Sequence, residues 1–362
     1  MPDRKPDVPG LLTDADVAAT AASIARMQEP DGAIPWTVGE HTDVWNHVES
    51  AMALLIGGEV VAAERALRWC ADTQRPDGSW PLRTVAGAVE DASGETNMSA
   101  YLAVGLWHHW LVRGDRALLD ELWPTVRRAL DWVVGLQLPF GGIAWSQEPG
   151  GRVNEEALLA GSSSIHQSLR AGVALGELLD DQQPAWELAG CRLRHALRDH
   201  RDLFLDKSTF SMDWYYPVLG GAVGGADARR LLESRWDDFV VPGLGVRCVD
   251  TNPWVTGAET CELVMALEAL GERDRAMRLF ADVQHLRHHD GAYWTGLVYP
   301  EDVNWPVEHT TYTAAAVLLA HDALRDATAG ADIMRGTTLP TLVDAPGEGC
   351  GCRSGERISR VP

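Results

Sequence analysis

Carboxylate side chains recur along this 362-residue chain at junctions where a polar cluster precedes a helical pattern of small residues. Asp43, Glu95 and Glu259 each stand at such a junction. Two carboxyl groups on opposite sides of a bound sugar can protonate the leaving oxygen and activate water, which is the chemistry of glycoside hydrolysis. Trp and amide side chains accompany the carboxylates at four junctions and suit sugar rings and sugar hydroxyls. The pattern favours an enzyme or a ligand-binding cavity over a purely structural protein.

Residues at six junctions are candidates for one shared site, because the first turns of helices arranged in a ring meet at one end, where helix dipoles favour anionic groups. Asp43, Asn46 and His47 are three and four residues apart, so they share a helix face. Some candidates also fit structural roles, since Glu95 could stabilise a helix N-terminus and Trp45 could pack in a core. The candidate site residues are His41, Asp43, Trp45, Asn46, His47, Glu95, Asn97, His166, Asp213, Trp214, Asp250, Trp254, Glu259, Trp305, Glu308, His309 and Tyr312.

The elements that would bring these residues together form an internal repeat of roughly 50 residues. Inner helices, rich in Ala and Gly so that they can approach closely, are predicted at 44–56, 95–112, 162–179, 211–223, 256–270 and 308–324. Outer helices with charged residues on one face are predicted at 14–28, 59–74, 118–137, 184–200, 227–239 and 273–286. Strand alternation is nearly absent. We therefore predict an all-α protein, a single (α/α)6 toroid of six helical hairpins at 11–326, with an N-terminal extension at 1–10 and a flexible tail at 327–362.

Four outer helices end in a similar phrase, which is clearest at residues 74–80 with Gln74, Gly78 and Trp80. Looser versions begin at Gln28, Gln137 and Gln284. Gly permits the left-handed turn that ends a helix, and Gln and Trp can tie the turn to the neighbouring hairpin. We predict that the phrases are structural staples. At these phrases the chain resembles the terpenoid-cyclase and protein-prenyltransferase toroid superfamily, which implies a fold rather than a reaction.

Composition and charge narrow the classes of partner. The formal net charge of −21 disfavours nucleic acid and anionic membrane surfaces and fits a neutral or cationic small substrate. No apolar run approaches the ~20 residues that span a bilayer, so no membrane insertion is expected. The start of the chain lacks a secretory segment and the six cysteines form no disulfide framework, so we expect a cytoplasmic protein with free thiols. The sequence indicates no particular oligomeric state.

Two other classes of function remain open. An isoprenoid-acting enzyme, either a prenyltransferase or similar to a terpene cyclase, would share the toroid, although neither a D-x-D-D nor a D-D-x-x-D motif is present. Glu259, Cys261 and His309 imitate the order of zinc ligands in protein prenyltransferases, so zinc at these residues is an alternative to a site without metal. A non-catalytic toroid that binds a glycan or lipid in the same cavity is the other class.

Residues 32–36 (GAIPW) and 41–52 (HTDVWNHVESAM) resemble an actinobacterial toroid family whose members are often described as prenyltransferase-like and include hydrolases of methylated mannose polysaccharides. Residues 256–259 (TGAE) are similar to it as well. The resemblance implies a glycoside hydrolase that cleaves an α-linked oligo- or polysaccharide, such as methylated mannose, with Asp43 and Glu259 as the catalytic carboxylates. It also leads us to expect Asp at the position of Asn46, which leaves open a changed substrate, an altered base or lost hydrolysis.

On this hypothesis Glu259 protonates the glycosidic oxygen while Asp43 activates water from the opposite face, which places the two carboxyl groups ~6.5–9.5 Å apart. Trp45, Trp254 and Trp305 are the candidates for stacking on sugar rings. The reaction requires no metal and no cofactor. The expected partner is a carbohydrate or another small neutral substrate.

Overall fold

The computed structural model describes residues 12–342, and α-helices in two layers dominate it. The inner layer consists of α2 (Val44–Ile56), α4 (Thr96–Ala100) continuing as α5 (Leu102–Arg113), α7 (Leu159–Leu178), α9 (Ser211–Leu219), α12 (Gly257–Ala269) and α14 (Thr311–Arg325). The outer layer consists of α1 (Asp14–Met27), α3 (Val60–Thr73), α6 (Arg116–Val134), α8 (Pro184–Asp199), α10 (Gly225–Glu233) with the short α11 (Trp236–Phe239), and α13 (Arg273–Asp282).

Contacts between the inner helices close a ring. Helix α2 contacts α5, α5 contacts α7, α7 contacts α9, α9 contacts α12, α12 contacts α14, and α14 returns to α2. The outer helices pack around this ring, for example α3 against α2 and α13 against α12. The predicted (α/α)6 toroid is therefore confirmed. Two predicted helices are each divided, 95–112 at Tyr101 and 227–239 between α10 and α11.

Inner and outer helices differ in burial as their compositions predict. Every residue of α12 from Gly257 to Glu268 is buried, whereas α3 buries one stripe of side chains and exposes the rest. Small residues allow the inner helices to touch, since a Cβ atom on Gly105 of α5 would lie 2.4 Å from Val48 Cγ1 of α2. Among residues 12–342, no helix has both the length and the apolar character needed to span a membrane.

The repeated phrases act as the predicted staples. In three of them the Gln side-chain amide donates to the Gly carbonyl four residues on and to a backbone carbonyl of the next outer helix, all at 2.9–3.0 Å. These are Gln28, Gln74 and Gln137. Gly78 has φ 99°, and a Cβ there would lie 2.1 Å from a backbone oxygen of α6, so only Gly fits this close approach. Gln284 departs from the pattern and donates to Phe280 in its own helix.

Short antiparallel strands occupy loops that lead from outer to inner helices, where the sequence showed almost no alternation. Strands β1 (Arg83–Val85) and β2 (Ala88–Asp91) form a hairpin, and β3 (Gly94–Glu95), β4 (Ser146–Gln147) and β5 (Val153–Asn154) form a three-stranded sheet. A five-stranded sheet contains β6 (Val240–Val241), β7 (Gly245–Arg247), β8 (Trp254–Thr256), β9 (Gly296–Val298) and β10 (Val303–Asn304). Runs of two to four residues are too short for alternation to reveal. Because β3 and β8 lead directly into α4 and α12, the sheets position the first turns of these helices.

Residues 327–342 differ from the flexible tail predicted from residue 327. Ile333, Met334, Leu339 and Leu342 are buried. The Arg170 side chain of α7 donates to three backbone carbonyls of this segment at 2.8–3.0 Å. The segment lacks regular helix but still buries apolar side chains, so a flexible tail does not begin at residue 327. The extension predicted at 1–10 and the rest of the predicted tail lie outside the described residues.

Candidate active site

The inner helices all start at the same end of the toroid, because each follows an outer helix that runs the other way. Two of the predicted carboxylates are the N-cap residues of their own inner helices. Asp43 is the N-cap of α2 and accepts the Asn46 N–H at 3.0 Å, and Glu95 is the N-cap of α4 and accepts the Met98 N–H at 2.6 Å. The same side chains therefore satisfy helix termini and bring carboxylates to one end of the ring.

Asp43 is surrounded by hydrogen-bond donors. Besides the backbone N–H of Asn46, its carboxylate accepts the side-chain amide of Asn46, and His41 Nε2 lies 3.6 Å from Asp43 Oδ2. Asp43 is only 3% exposed. A carboxylate that receives donors on both oxygens is in the arrangement that suits its ionised form. Asn46, which stands where the resemblance led us to expect Asp, supplies one of these donors instead of a second negative charge.

Glu95 is a proton-holding neighbour of Asp43. Burial raises the pKa of Glu95 to about 8, the Met98 N–H hydrogen bond opposes the increase, and the negative charge of Asp43 adds to it. Glu95 therefore keeps its proton at neutral pH. One end of the ring thus holds a carboxyl group that keeps its proton close to a second carboxylate, an arrangement that can support acid–base catalysis.

Glu259, the other predicted catalytic carboxylate, lies buried in the first turn of α12. It lies near Cys248, and the pKa of the Cys248 thiol is raised by burial first and by its proximity to Glu259 second. Glu262 lies one turn further along α12, close enough for its pKa to respond to Glu259. Glu259 therefore lies in an acidic, buried part of the ring.

Deeper inside the ring, two glutamates accept hydrogen bonds from four tyrosine hydroxyls. Glu262 Oε1 accepts the hydroxyls of Tyr216 and Tyr312 at 2.6 and 2.7 Å, and Glu262 Oε2 accepts that of Tyr215. Glu49 of α2 accepts the hydroxyl of Tyr101 at 2.8 Å. We call Glu49, Glu262 and the four tyrosines the acid floor. Burial raises the pKa of both glutamates, that of Glu262 to about 7.

Glu49 and Tyr101 were not among the residues predicted from the sequence. Their contact joins residues 52 positions apart, which no local spacing indicates. One signal was available, because Glu49 is the single carboxylate within the inner helix Val44–Ile56. A buried charge is costly unless hydrogen-bonded, so such a residue implies partners from neighbouring helices.

Aromatic rings pack close to one another beside the acid floor. Trp45 lies with its ring centre 5.4–6.2 Å from those of Tyr101, Tyr216 and Tyr312. Trp36 stacks near His41 and donates its indole N–H to Glu308 at 2.9 Å. Rings of this kind suit the apolar faces of a sugar. The structure thus brings the predicted Trp45, Glu308 and Tyr312 together with the carboxylates.

His47 is a correction to the predicted site. It is fully buried, its Nδ1 accepts the Ile34 N–H at 3.0 Å, and its Nε2 lies 2.8 Å from the carbonyl of Ala66 on α3. Burial lowers the pKa of His47 to about 4, so the ring is neutral. Both nitrogens are used by the backbone, so His47 joins the inner and outer layers and has no free nitrogen for a ligand.

Asp250 forms an ion pair with Arg235 at 2.6 Å. His166 is buried and lies 2.8 Å from the carbonyl of Gly220 through Nδ1. Asp213 caps the neighbouring helix start by accepting the Ala160 N–H at 3.1 Å, and burial raises its pKa to about 6. Asp213 and Trp214 border a cavity of about 390 Å³.

The remaining predicted residues lie near the starts of α4, α12 and α14. Trp254 donates its indole N–H to the carbonyl of Trp305 at 2.8 Å, and their rings meet edge to face at 5.0 Å. Trp305 is 53% exposed. His309 packs against Trp294 with ring centres 4.0 Å apart. Asn97 has a buried side-chain oxygen without a hydrogen-bond partner.

The zinc alternative is not supported by the arrangement of side chains. Glu259, Cys261 and His309 are not grouped as metal ligands, and no set of three or more His, Cys, Asp or Glu side chains within residues 12–342 is arranged to hold a metal ion. Cys261 is fully buried, and burial raises the pKa of its thiol well above its usual range. A thiol must lose its proton to bind zinc, so this environment opposes binding.

Comparison with known proteins decides between the classes of function. No protein-family model matches the chain. Over 355 residues it is 52% identical to the MMP endo-(1,4)-3-O-methyl-alpha-D-mannosidase of Mycolicibacterium hassiacum, and the match covers 98% of each protein. The chain belongs to the family of this mannosidase. The predicted glycoside hydrolase function and the resemblance to that actinobacterial family are confirmed, and the isoprenoid-acting and non-catalytic alternatives are set aside.

Solved structures with low sequence identity show the same fold. A glycosidase in complex with glucose matches with a TM-score of 0.68 at 16% identity, covering 87% of this chain and 98% of the glycosidase. The cellobiose 2-epimerase of Spirochaeta thermophila matches with a TM-score of 0.62 at 14% identity, covering 86% of this chain and 96% of the epimerase. At such identities the likeness concerns the α/α-toroid alone.

Proposed function

We propose that this glycoside hydrolase cleaves internal α-(1→4) bonds in a polymer of 3-O-methylmannose. The observation that carries the proposal is the 52% identity, across 98% of both proteins, to an enzyme named for that reaction. The proposed substrate is an uncharged carbohydrate, which agrees with a chain of net charge −21 and with the acidic site.

Asp43 and Glu259 are proposed as the catalytic pair. The Glu259 carboxyl gives its proton to the glycosidic oxygen as the bond from that oxygen to the anomeric carbon breaks. Water forms the new bond to the anomeric carbon from the opposite face, and its proton passes to Asp43. The donors around Asp43 support its role as the base, because they favour the ionised form that can accept this proton. Asn46 orients that carboxylate through its side-chain amide.

Apolar side chains near the site fit a methylated sugar better than a plain one. Val303, Trp305 and Val307 are exposed and lie in the segment that leads to Glu308 and the start of α14. A methyl ether removes a hydroxyl donor and adds a methyl group, and burying one such carbon is worth about 0.8 kcal/mol. Together with Trp45 and Trp254 these side chains are proposed to bind the sugar rings and their methyl groups.

The test is hydrolysis of α-(1→4)-linked 3-O-methylmannose oligosaccharides, compared with unmethylated oligosaccharides of equal length and followed by mass spectrometry. Internal fragments should form from the methylated substrate, and Asp43→Asn and Glu259→Gln should each lower kcat by about 10²–10⁴-fold. Glu187→Gln, which changes an exposed glutamate on α8, is the matched control and should keep wild-type activity.

The anomeric form of the first product, read by NMR, tests the roles separately. Attack by water from the opposite face inverts the anomeric carbon, so the first product should be the β-anomer. An α-anomer would show retention and exclude Asp43 as the base for water. Full activity of Glu259→Gln, or failure to cleave the methylated substrate, would contradict the proposal.

A further inference from the structure

The two glutamates of the acid floor differ in the donors they receive. Glu262 accepts three tyrosine hydroxyls, shared between its two oxygens. Glu49 accepts one, and its Oε2 is buried without a hydrogen-bond partner. Three donors stabilise an ionised carboxylate, whereas a bare buried oxygen is far less costly on a neutral carboxyl group. The geometry therefore assigns the negative charge to Glu262 and the proton to Glu49.

The surroundings of the pair support this division. Burial raises the pKa of Glu49 well above its usual range, and the charge of Glu262 raises it further. Burial and Glu259 raise the pKa of Glu262 to about 7, while its three tyrosines lower it. The titratable groups that face the pair are Asp43 at the start of α2, Tyr101 before α5, Tyr215 and Tyr216 on α9, Cys248 before α12, Glu259 and Cys261 on α12, and Tyr312 on α14. All of these groups are acids, so the negative charge is not neutralised by a cation among them.

We propose that Glu262 supplies a buried negative charge beneath the site, which stabilises the positive charge that develops on the sugar during glycosidic cleavage, while Glu49 stays neutral. The inference rests on the proposed function, because glycosidic cleavage passes through an oxocarbenium-like transition state. A charge held in a buried, water-poor position acts more strongly than the same charge in water. The ring of Trp45, surrounded by tyrosine rings, adds a surface that also favours a cation.

Glu262 forms and breaks no bond in this role. It acts from behind the tyrosine rings, so it is distinct from Asp43 and Glu259, which exchange protons with water and the leaving group. Its contribution should appear as a preference for a cationic ligand over an uncharged one of the same shape. A purely structural role in packing the ring would affect both ligands alike.

The experiment compares two ligands by calorimetry at pH 7.5. One is a manno-configured piperidine whose nitrogen replaces the anomeric carbon and is protonated at this pH, and the other is its uncharged lactam. Wild-type protein should prefer the cation, and Glu262→Gln should reduce the ratio of the two Kd values at least about tenfold, which corresponds to about 1.4 kcal/mol. Glu49→Gln replaces an already neutral group and should keep the preference within about twofold.

The outcomes separate the possibilities. A wild-type protein without preference for the cation, including one that binds neither ligand, overturns the proposal, and so does an equal effect of Glu49→Gln and Glu262→Gln. If Glu262→Gln fails to fold, Tyr312→Phe removes one donor from Glu262 while keeping the ring, and it should lower the preference part of the way. An unchanged preference in Tyr312→Phe would overturn the proposal as well. Because the assay needs no turnover, its result is independent of whether the methylmannose polymer is cleaved.

Discussion

Replacing Glu95 by Gln should remove the contribution of Glu95 to the pH dependence of the free energy of unfolding between pH 6.5 and 8. Burial, supported by the charge of Asp43 and opposed by the Met98 N–H bond, raises the pKa of Glu95 from 4.5 to about 8. The folded protein keeps the Glu95 proton through this window, whereas the unfolded chain has lost it. A raised folded-state pKa means that this contribution to stability is fully present below pH 4.5 and is lost as the pH rises through 8.

The magnitude follows from linkage. Each pH unit over which only the folded state holds the proton changes the free energy of unfolding by about 1.4 kcal/mol. Between pH 6.5 and 8 the wild type therefore loses about 2 kcal/mol through Glu95. The window begins at pH 6.5 because the buried histidines His47 and His166, whose pKa values are lowered to about 4 and about 3, change stability in the opposite direction at lower pH. Glu262, with a pKa raised to about 7, adds a smaller loss in the lower part of the window. Burial raises the pKa of Glu49 well above its usual range, so Glu49 adds a further loss in the same direction, which Glu95→Gln leaves in place.

Urea unfolding followed by Trp fluorescence at four pH values between 6.5 and 8 measures this difference. Glu95→Gln keeps the volume of the side chain, removes the titrating proton and should gain about 2 kcal/mol relative to the wild type across the window. Glu187→Gln on α8 is exposed and should run parallel to the wild type. Parallel lines for the wild type and Glu95→Gln would refute the argument that Glu95 holds a proton in the folded protein.

Three further predictions test the base, a staple and the packed C-terminal segment. Asn46→Asp replaces the amide that donates to Asp43 by a second carboxylate, so the acidic limb of the profile of kcat/KM against pH should move up by about one pH unit. An acidic limb at the wild-type pH would contradict the contact between residue 46 and Asp43. In Gly78→Ala the new Cβ would lie 2.1 Å from a backbone oxygen, so the free energy of unfolding in urea should fall by about 2–4 kcal/mol. Gly39→Ala, at a left-handed position with no atom nearby, is the control and should cost about 1 kcal/mol. Equal losses in the two variants would exclude the close approach. Arg170→Met removes three hydrogen bonds to residues 327–342, so the free energy of unfolding should fall by about 2–4 kcal/mol and proteolysis within residues 327–342 should become faster. An unchanged digestion pattern would count against the role of Arg170 in holding this segment.

The ring of helices could be predicted because the residues within each repeat indicate the helices of that repeat. Small residues predict the inner helices, charged faces predict the outer ones, and the Gln phrases predict the turns. The structure shows why the phrases repeat, since Gln74 reaches the carbonyl of Thr125, 51 residues on in the next outer helix, and Gln137 repeats that contact with Ala189. A motif that makes the same contact in successive repeats recurs in the sequence at the spacing of the repeat.

Side-chain direction within the first turn of α2 could not be predicted in the same way. Asp43 and His47 are four residues apart, yet Asp43 caps the helix with Asn46 while His47 bonds to the backbone of α3. Spacing places both residues in one turn but does not say which neighbour offers a partner. The contact of Glu49 with Tyr101 escaped prediction for a related reason, because its geometry depends on how two inner helices pack.

Residue type alone also did not distinguish the roles of the buried acids, since the donors around each carboxyl group decide its charge. Asp43 and Glu262 receive several donors and suit the ionised form, whereas Glu95 and Glu49 receive one each and hold protons. Neutralising a proton-holding acid should therefore stabilise the protein at alkaline pH, because the folded state no longer has to lose a proton there. Neutralising an ionised acid removes the charge that the surrounding donors stabilise, so such a substitution should lower kcat or weaken the binding of a cationic ligand. The two groups of acids at this end of the ring can thus be told apart by which measurement each substitution changes.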